Sequence, residues 1–397
     1  MTREDFYDSC LQEIGRTKCL LVEASTGFGK SKCAIDLTNH LSANVFGGKK
    51  LKVLLLVAKR VHKQTWKDEI EKWGGIHAEI TMECYESLKK HVGDKYDVAI
   101  GDEVHHIGSP ARMDLLTMVH FKYFIGLSAT IPRAVKMFFK FRYHAKTVSC
   151  DIVEAIEDNV LPEPEILLWP LQLDNTIYSE TWEINPRAKG AIARDSYTNI
   201  WKYKKNRQHA ILSCTQKQKS NEFNAECLNL KNRFNLTRNE GIKNLWLQKC
   251  GQRLEFYSYC KIPIVQEIQK RLKRFRTITF CKTIDQCEQL GKNCIHSKNA
   301  EADKIYERFN QKKINHITAV NILNENANLV DCKYGIFCNI TASDISSVQR
   351  QGRLMRHKKP VIIVPYYTGT REEELVEKMF EDYNVEYIRK IHSVEEI

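Results

Sequence analysis

The stretch "EASTGFGKSKCA", residues 23–34, decides how this chain is read. Leu20, Leu21 and Val22 before it read as the end of a short buried strand. Lys32–Leu41 after it reads as a helix with Ala34, Ile35, Leu37 and Leu41 on its apolar side. A glycine-rich turn between strand and helix aims several backbone N–H groups at one point. A lysine there adds a fixed positive charge, and a serine hydroxyl can ligate Mg²⁺. The pattern is Ala24-x-x-x-x-Gly29-Lys30-Ser31, a phosphate-binding loop with alanine in place of the first glycine. The competing reading is an ordinary strand-to-helix turn that happens to contain GKS. The rest of the chain has to decide between the two.

The chain has 397 residues, enough for two domains and an insertion. Its hydrophobic content of 43% predicts real cores, and its net charge of +12 favours a polyanionic partner, with a merely solubilising basic surface as the alternative. Met1–Ser9 is polar and acidic, without a signal pattern, and no apolar run nears membrane-spanning length. The 14 cysteines never fall as C-x-x-C, so they read as reduced core residues and not as disulfides or zinc ligands. A cytoplasmic setting away from membranes is the expectation.

Strand patterns recur at Lys18–Val22, Lys52–Val57, Ala78–Thr81, Tyr96–Ile100 and Tyr123–Leu127, with helical patterns such as Lys63–Trp73 between them. This alternation predicts a parallel α/β unit over 1–150. From 151 to 261 the character changes to a linker at Leu161–Pro164, a strand at Ile166–Leu173 and a long polar stretch expected to be mainly helical. Within it "YTNIWKYKKNRQ" interleaves Tyr197, Trp201 and Tyr203 with Lys202, Lys204, Lys205 and Arg207. That mixture suits single-stranded nucleic acid, and it equally suits a solvated amphipathic helix. The α/β rhythm returns over 262–397, with strands at Thr277–Cys281, His316–Val320, Tyr334–Cys338 and Val361–Pro365.

Three further stretches bear on the opening loop. "YDVAIGDEVHH" sets Asp102 and Glu103 just past an apolar strand. One carboxylate there can hold Mg²⁺ while the next orients and deprotonates an attacking water, with His105 linking them to neighbouring loops. "FIGLSAT" ends another strand at Ser128-Ala129-Thr130, small hydroxyl residues able to relay hydrogen bonds. "SVQRQGRLMRH" supplies Gln349, Arg350, Gly352, Arg353 and Arg356. The last two arginines are three apart, which predicts one side of a helix, and such a pair can reach a γ-phosphate from another domain. A basic surface helix is the bland alternative.

The order ASTGFGKS, DEVH, SAT, QRQGRLMR resembles the superfamily 2 helicases and translocases, relatives of the DEAD/DEAH-box proteins. The DEVH box makes it most similar to the branch of DNA-repair translocases, phage recombination helicases and restriction-enzyme motors. The resemblance runs from about residue 15 to 370, outside the connector. It implies two RecA-like parallel-sheet domains facing across a cleft and joined by a mainly helical insertion. ATP would lie on Ala24, Ser25, Thr26, Gly27, Phe28, Gly29, Lys30 and Ser31, with Gln349, Arg353 and Arg356 closing the site. Mg²⁺ would be held by Ser31 and Asp102, and His105, Ser128 and Thr130 would couple the site to the partner domain. By the same resemblance "LLLVAKRVHKQTW" points to Lys59 and Arg60 as nucleic-acid contacts, "ITMECYESL" to Ser87, and "TITFCKTIDQCEQL" to Lys282 and Thr283. In "ITAVNILNENANL" the family's expected Gly and Asp are Asn326 and Asn328. Asparagine tolerates the left-handed turn, but the carboxylate is lost. Gln12 is the one candidate for an adenine-reading glutamine.

These expectations converge on an ATP-driven helicase or translocase with a DNA partner. An RNA helicase with the same engine, or an ATP-gated nucleic-acid clamp, stands beside it. A small-molecule kinase would need the loop but neither SAT nor QRxGRxxR.

Overall fold

A computed structural model describes residues 2–184, 198–204, 207–320 and 329–397. Six apolar runs form one parallel sheet: β1 (Cys19–Ala24), β2 (Leu51–Val57), β3 (Ala78–Cys84), β4 (Lys95–Asp102), β5 (His120–Ser128) and β6 (Lys146–Cys150), in the order β3-β2-β4-β5-β1-β6. Helices α1 (Arg3–Thr17), α2 (Lys30–His40), α3 (Arg60–Lys72), α4 (Pro110–Thr117) and α5 (Arg133–Tyr143) connect and cover it. β1 is an interior strand next to the edge, with Val22 paired to Leu127 of β5 on one side and Val148 of β6 on the other. The sheet is parallel, so the carboxyl ends of β1, β4 and β5 share one edge, where ligands bind in such folds.

Helix α1 starts with a capping box. The Thr2 hydroxyl accepts from Asp5 N–H, and the Asp5 carboxylate accepts from Thr2 N–H. Its buried Phe6, Cys10 and Ile14, four apart, lay it against the sheet unit.

The second sheet is also parallel throughout, in the order β12-β13-β11-β14-β15-β7-β16. Its strands are β7 (Glu165–Leu171), β11 (Thr277–Cys281), β12 (Cys294–Ile295), β13 (His316–Val320), β14 (Tyr334–Phe337), β15 (Val361–Tyr367) and β16 (Ile388–Lys390). After α6 (Ile152–Glu157) the chain enters this sheet through β7, which lies between β15 and β16. The strand expected at Ile166–Leu173 therefore belongs to the second sheet, although it sits in the stretch read as connector.

The insertion between β7 and β11 is only partly helical. Three strands, β8 (Ile177–Ile184), β9 (Thr198–Lys204) and β10 (Arg207–Thr215), form an antiparallel sheet ordered β8-β10-β9. The amphipathic helix allowed for "YTNIWKYKKNRQ" is corrected here, because Thr198–Lys204 pairs along β10 as a strand. Ile200, Trp201 and Tyr203 favour extended structure, and a partner strand was available, while Tyr197 lies outside the described residues. Lys205 lies outside the described residues. Two long helices follow, α7 (Gln216–Thr237) and α8 (Glu240–Cys260). Their root packs Phe223, Phe256 and Tyr257 against Tyr367 at the end of β15. The chain then returns through α9 (Ile262–Arg271) and completes the second unit with α10 (Ile284–Leu290), α11 (Ala302–Asn310), α12 (Asp344–Leu354) and α13 (Arg371–Phe380). At the α8–α9 junction the fully buried Lys261 pairs with Glu372 at 2.7 Å and donates to the Pro365 carbonyl. All 14 cysteines are free thiols, buried except for Cys250 and Cys260. Among the described residues no helix is long and apolar enough to cross a membrane.

Candidate nucleotide site

The loop after β1 has the geometry its composition predicts. Gly27 and Gly29 take φ of 93° and 111°, a region that strains any residue with a Cβ. Ala24, in place of the motif's first glycine, is the last residue of β1 and fully buried, so its methyl sits in ordinary strand geometry. Lys30, the first residue of α2, folds back over the loop: its Nζ donates to the Ala24 carbonyl at 2.7 Å and the Ser25 carbonyl at 3.3 Å. The Ser25 hydroxyl is buried and has no partner among the described residues. Burial pushes the Lys30 ammonium below its usual lysine value, and Arg353 and Arg356 push the same way, against Glu103 and Asp102. Five charged groups from both α/β units therefore act on one another here.

Asp102 ends β4, and its Oδ2 accepts from Trp66 Nε1 at 2.8 Å. Its carbonyl accepts from the Tyr85 hydroxyl at 2.9 Å. Tyr85 reaches it because Gly101 leaves room: a Cβ there would stand 2.9 Å from the phenolic oxygen. Glu103 sits in the left-handed region, φ 51°, an uncommon state for glutamate that the surrounding contacts must hold. Its Oε2 lies 3.0 Å from Ser128 Oγ and 3.3 Å from His105 Nδ1, and the Ser128 hydroxyl is in turn 2.9 Å from His105 Nδ1 and from the Thr130 carbonyl. Burial works to raise the Glu103 carboxyl. The His105 hydrogen bond, the charges of Lys30 and His105, and the Ser128 hydroxyl together bring it below the usual glutamate value. The DEVH and SAT stretches thus form one connected cluster.

Helix α12 carries the second unit's side of the site. Gly352 rests on the phosphate loop so closely that a Cβ on it would lie 2.6 Å from Thr26 Cβ. Arg353 is buried beside it. Arg356 is not on the helix, which ends at Leu354; it lies in the turn after the Met355 cap. The expectation that the two arginines share a helical face is corrected, yet both line the same cleft as Lys30, Ser31, Asp102 and Glu103. That cleft measures about 1050 Å³, just above the range of small-molecule sites, roughly 300–1,000 Å³. Gln349 is buried in α12 and does not line it. Arg350 instead braces the helix, donating to the Asn339 carbonyl at 2.9 Å and lying 5.3 Å over the Phe280 ring.

Two family models match the chain: Type III restriction enzyme, res subunit, over residues 4–133, and Helicase conserved C-terminal domain over residues 260–358. The chain belongs to the superfamily 2 helicases. Its helicase domains make it an ATP-dependent nucleic-acid helicase, a hydrolase. A search of curated proteins finds no match. Among solved structures the helicase is similar to S. cerevisiae Dbp5 bound to RNA and ADP BeF3, with TM-score 0.58, 11% identity, and coverage of 98% of this chain and 89% of that one. It is also similar to the ATP-dependent Type ISP restriction-modification enzyme LlaBIII bound to DNA, with TM-score 0.54, 12% identity, and coverage of 99% of this chain and 31% of that one. At such identities the likeness is one of fold: two RecA-like units.

The residues read as nucleic-acid contacts fall in both units of the helicase. Lys59 is the N-cap of α3 and Arg60 its first residue, both exposed. Ser87 lies half-buried in the short helix Tyr85–His91. Lys282 and Thr283 precede α10 in the other unit, where the Thr283 hydroxyl caps the helix at Gln286 N–H and meets the Tyr259 hydroxyl at 2.7 Å. Asn326 and Asn328 lie outside the described residues.

Sequence reasoning missed two contributors. Helix α1 borders the cleft, with Arg3 Nε donating to the Phe28 carbonyl at 3.1 Å and Phe6 stacking edge-on against Phe28 at 4.7 Å. Gln12, on the same helix, is exposed and away from the cleft. Trp66 is the second, and its only signal was a large aromatic on the buried side of a helix otherwise rich in charge.

Proposed function

We propose that this helicase converts ATP hydrolysis into movement along DNA by closing and opening the cleft between its two α/β units. The observation that carries the reading is the seating of Gly352 on Thr26, which brings Arg353 and Arg356 into the cleft that holds Lys30. The residues suit a nucleoside triphosphate: two left-handed glycines, an orphaned Ser25 hydroxyl and an ammonium held by the Ala24 and Ser25 carbonyls of the loop itself. Ser31 and Asp102 would hold Mg²⁺, which when bound neutralises phosphate charge. Lys30 would neutralise the β/γ-phosphates, Glu103 would take the proton of the attacking water, and Arg353 and Arg356 would stabilise charge developing on the γ-phosphate. The Glu103–Ser128–His105 cluster would report the state of the site to the rest of the first unit.

DNA as partner is supported by the restriction-enzyme model over the first unit and by the likeness to DNA-bound LlaBIII. RNA is the second reading, on the likeness to RNA-bound Dbp5. The test is steady-state ATPase with single-stranded DNA, forked DNA, duplex DNA and RNA in parallel, with Lys30→Ala as the inactive control. DNA should stimulate at least tenfold more than RNA. Equal or stronger stimulation by RNA removes the DNA assignment, and no response to any nucleic acid removes the motor.

A further inference from the structure

The insertion carries an arm that no core requires. Helix α7 buries Lys219, Ser220, Phe223 and Cys227, all before Leu228, and α8 buries Phe256, Tyr257 and Ser258, all after Glu255. Residues 228–253 between them contain no buried residue. The composition of such a segment answers to something other than packing.

That composition is basic and aromatic. Lys231, Arg233, Arg238, Lys243, Lys249 and Arg253 stand against Glu240 alone. Near the turn, Phe234 of α7 and Trp246 of α8 stack with centroids 6.2 Å apart and planes at 22°. The Arg238 guanidinium and the Lys243 ammonium lie 5.7 and 5.9 Å from the Phe234 centroid. Arg238 occupies the left-handed cap of α7, φ 52°, a position where glycine costs least. Lys249 is paired to Glu226, but Lys231 and Arg233 form no ion pair among the described residues. Cations of one sign beside half-exposed stacked rings are what an unpaired nucleic-acid strand needs: charge for its phosphates and ring faces for its bases. The exposed Leu236, Leu245 and Leu247 would suit a protein partner, but they are scattered among like charges that such a partner would have to match.

We propose that the outer arm, residues 228–253, is a separate contact for single-stranded nucleic acid, with Lys231, Arg233 and Arg238 on phosphates and the Phe234–Trp246 stack on bases. This rests on the reading of the chain as a nucleic-acid motor. The test compares wild type with the triple variant Lys231→Ala, Arg233→Ala, Arg238→Gly. Alanine is the best helix former and glycine suits the left-handed cap, so the arm should stay folded. Fluorescence anisotropy with labelled 20-nucleotide oligothymidylate and oligouridylate reads affinity across a salt series. The triple variant should bind about tenfold or more weaker, and its salt slope should fall by about 2, from three phosphates at roughly 0.7 each. ATPase without nucleic acid should not change. Trp246→Phe, which keeps a ring, should bind more tightly than Trp246→Ala. A triple variant with wild-type affinity and slope overturns the arm while leaving the motor standing, and so returns its leucines to a protein partner. Equal loss on a blunt duplex overturns the preference for a single strand. A wild type that binds neither oligonucleotide overturns the motor, and the arm with it.

Discussion

Replacing Gly352 by alanine tests whether the two α/β units share one active site. The added Cβ would lie 2.6 Å from Thr26 Cβ, 3.1 Å from the Thr26 carbonyl oxygen and 3.3 Å from Thr26 Cα. Carbon atoms rest at about 3.5–4.0 Å, so roughly 1 Å must be found. Two of the three atoms are backbone of the phosphate loop and cannot swing aside, so the helix must back away. Overpacking of this kind costs about 1–3 kcal/mol. At about 1.4 kcal/mol per tenfold, the seated arrangement should lose roughly 5- to 150-fold in population. Within α12 itself alanine is favoured over glycine by up to about 1 kcal/mol, so the second unit should not become less stable. The assays are nucleic-acid-stimulated ATPase and a urea melt. The expected result is kcat down by about tenfold or more with an unreduced melting midpoint. A wild-type kcat in a folded Gly352→Ala protein would refute the reasoning, because hydrolysis would then not need α12 against the loop.

Glu103→Gln should retain ATP binding in equilibrium dialysis and lose turnover. Because the folded Glu103 carboxyl lies below its ordinary value, the charge contributes stability that is present above the unfolded value and lost as pH falls through the folded one. The stability gap between wild type and Gln should thus be full at neutral pH and close in acid melts below about pH 4.5; a gap independent of pH would count against this. Arg353→Lys should fail nearly as badly as Arg353→Ala, on the order of 10³ in kcat, with ATP affinity much less changed, since lysine loses the planar fork. Two variants turning over at the wild-type rate would reduce Arg353 to a buried cation with no part in hydrolysis. Trp66→Phe keeps the buried ring and deletes the hydrogen bond to Asp102, so kcat and the Mg²⁺ concentration at half-activity should both worsen by about tenfold, with little change in melting temperature; an unaltered Mg²⁺ dependence would leave Trp66 as packing alone.

The catalytic edge was legible because it is written in long buried strands that end in short polar signatures. β1, β4 and β5 each carry a buried apolar run toward their carboxyl ends, and each motif lies where that run stops. Thr277–Cys281 and His316–Val320 were bounded to the residue for the same reason. What escaped was determined by contacts distant in sequence. β6 alternates exposed and buried residues over only five positions, too short to register. β7 looked like a connector strand, and its place between β15 and β16 depends on residues two hundred positions later. Arg356 fell off the predicted helix because the Met355 cap closes α12 a turn early. Trp66 reads as core until Asp102 is beside it.

The routing of the chain gives the arm a mechanical meaning. β7 enters the second sheet before the insertion and α9 returns to the same unit after it, while Tyr367 and the buried Lys261–Glu372 pair clamp the root. Both ends of the arm are therefore bolted to one body, and it swings as that body swings. Helix α7, at 22 residues, makes a boom about 33 Å long. On a boom of that radius a rotation of roughly six degrees sweeps the far end through about 3.4 Å, the axial rise of one nucleotide in a duplex. A tilt of a few degrees at the hinge would thus be magnified at the rim into a displacement of that size.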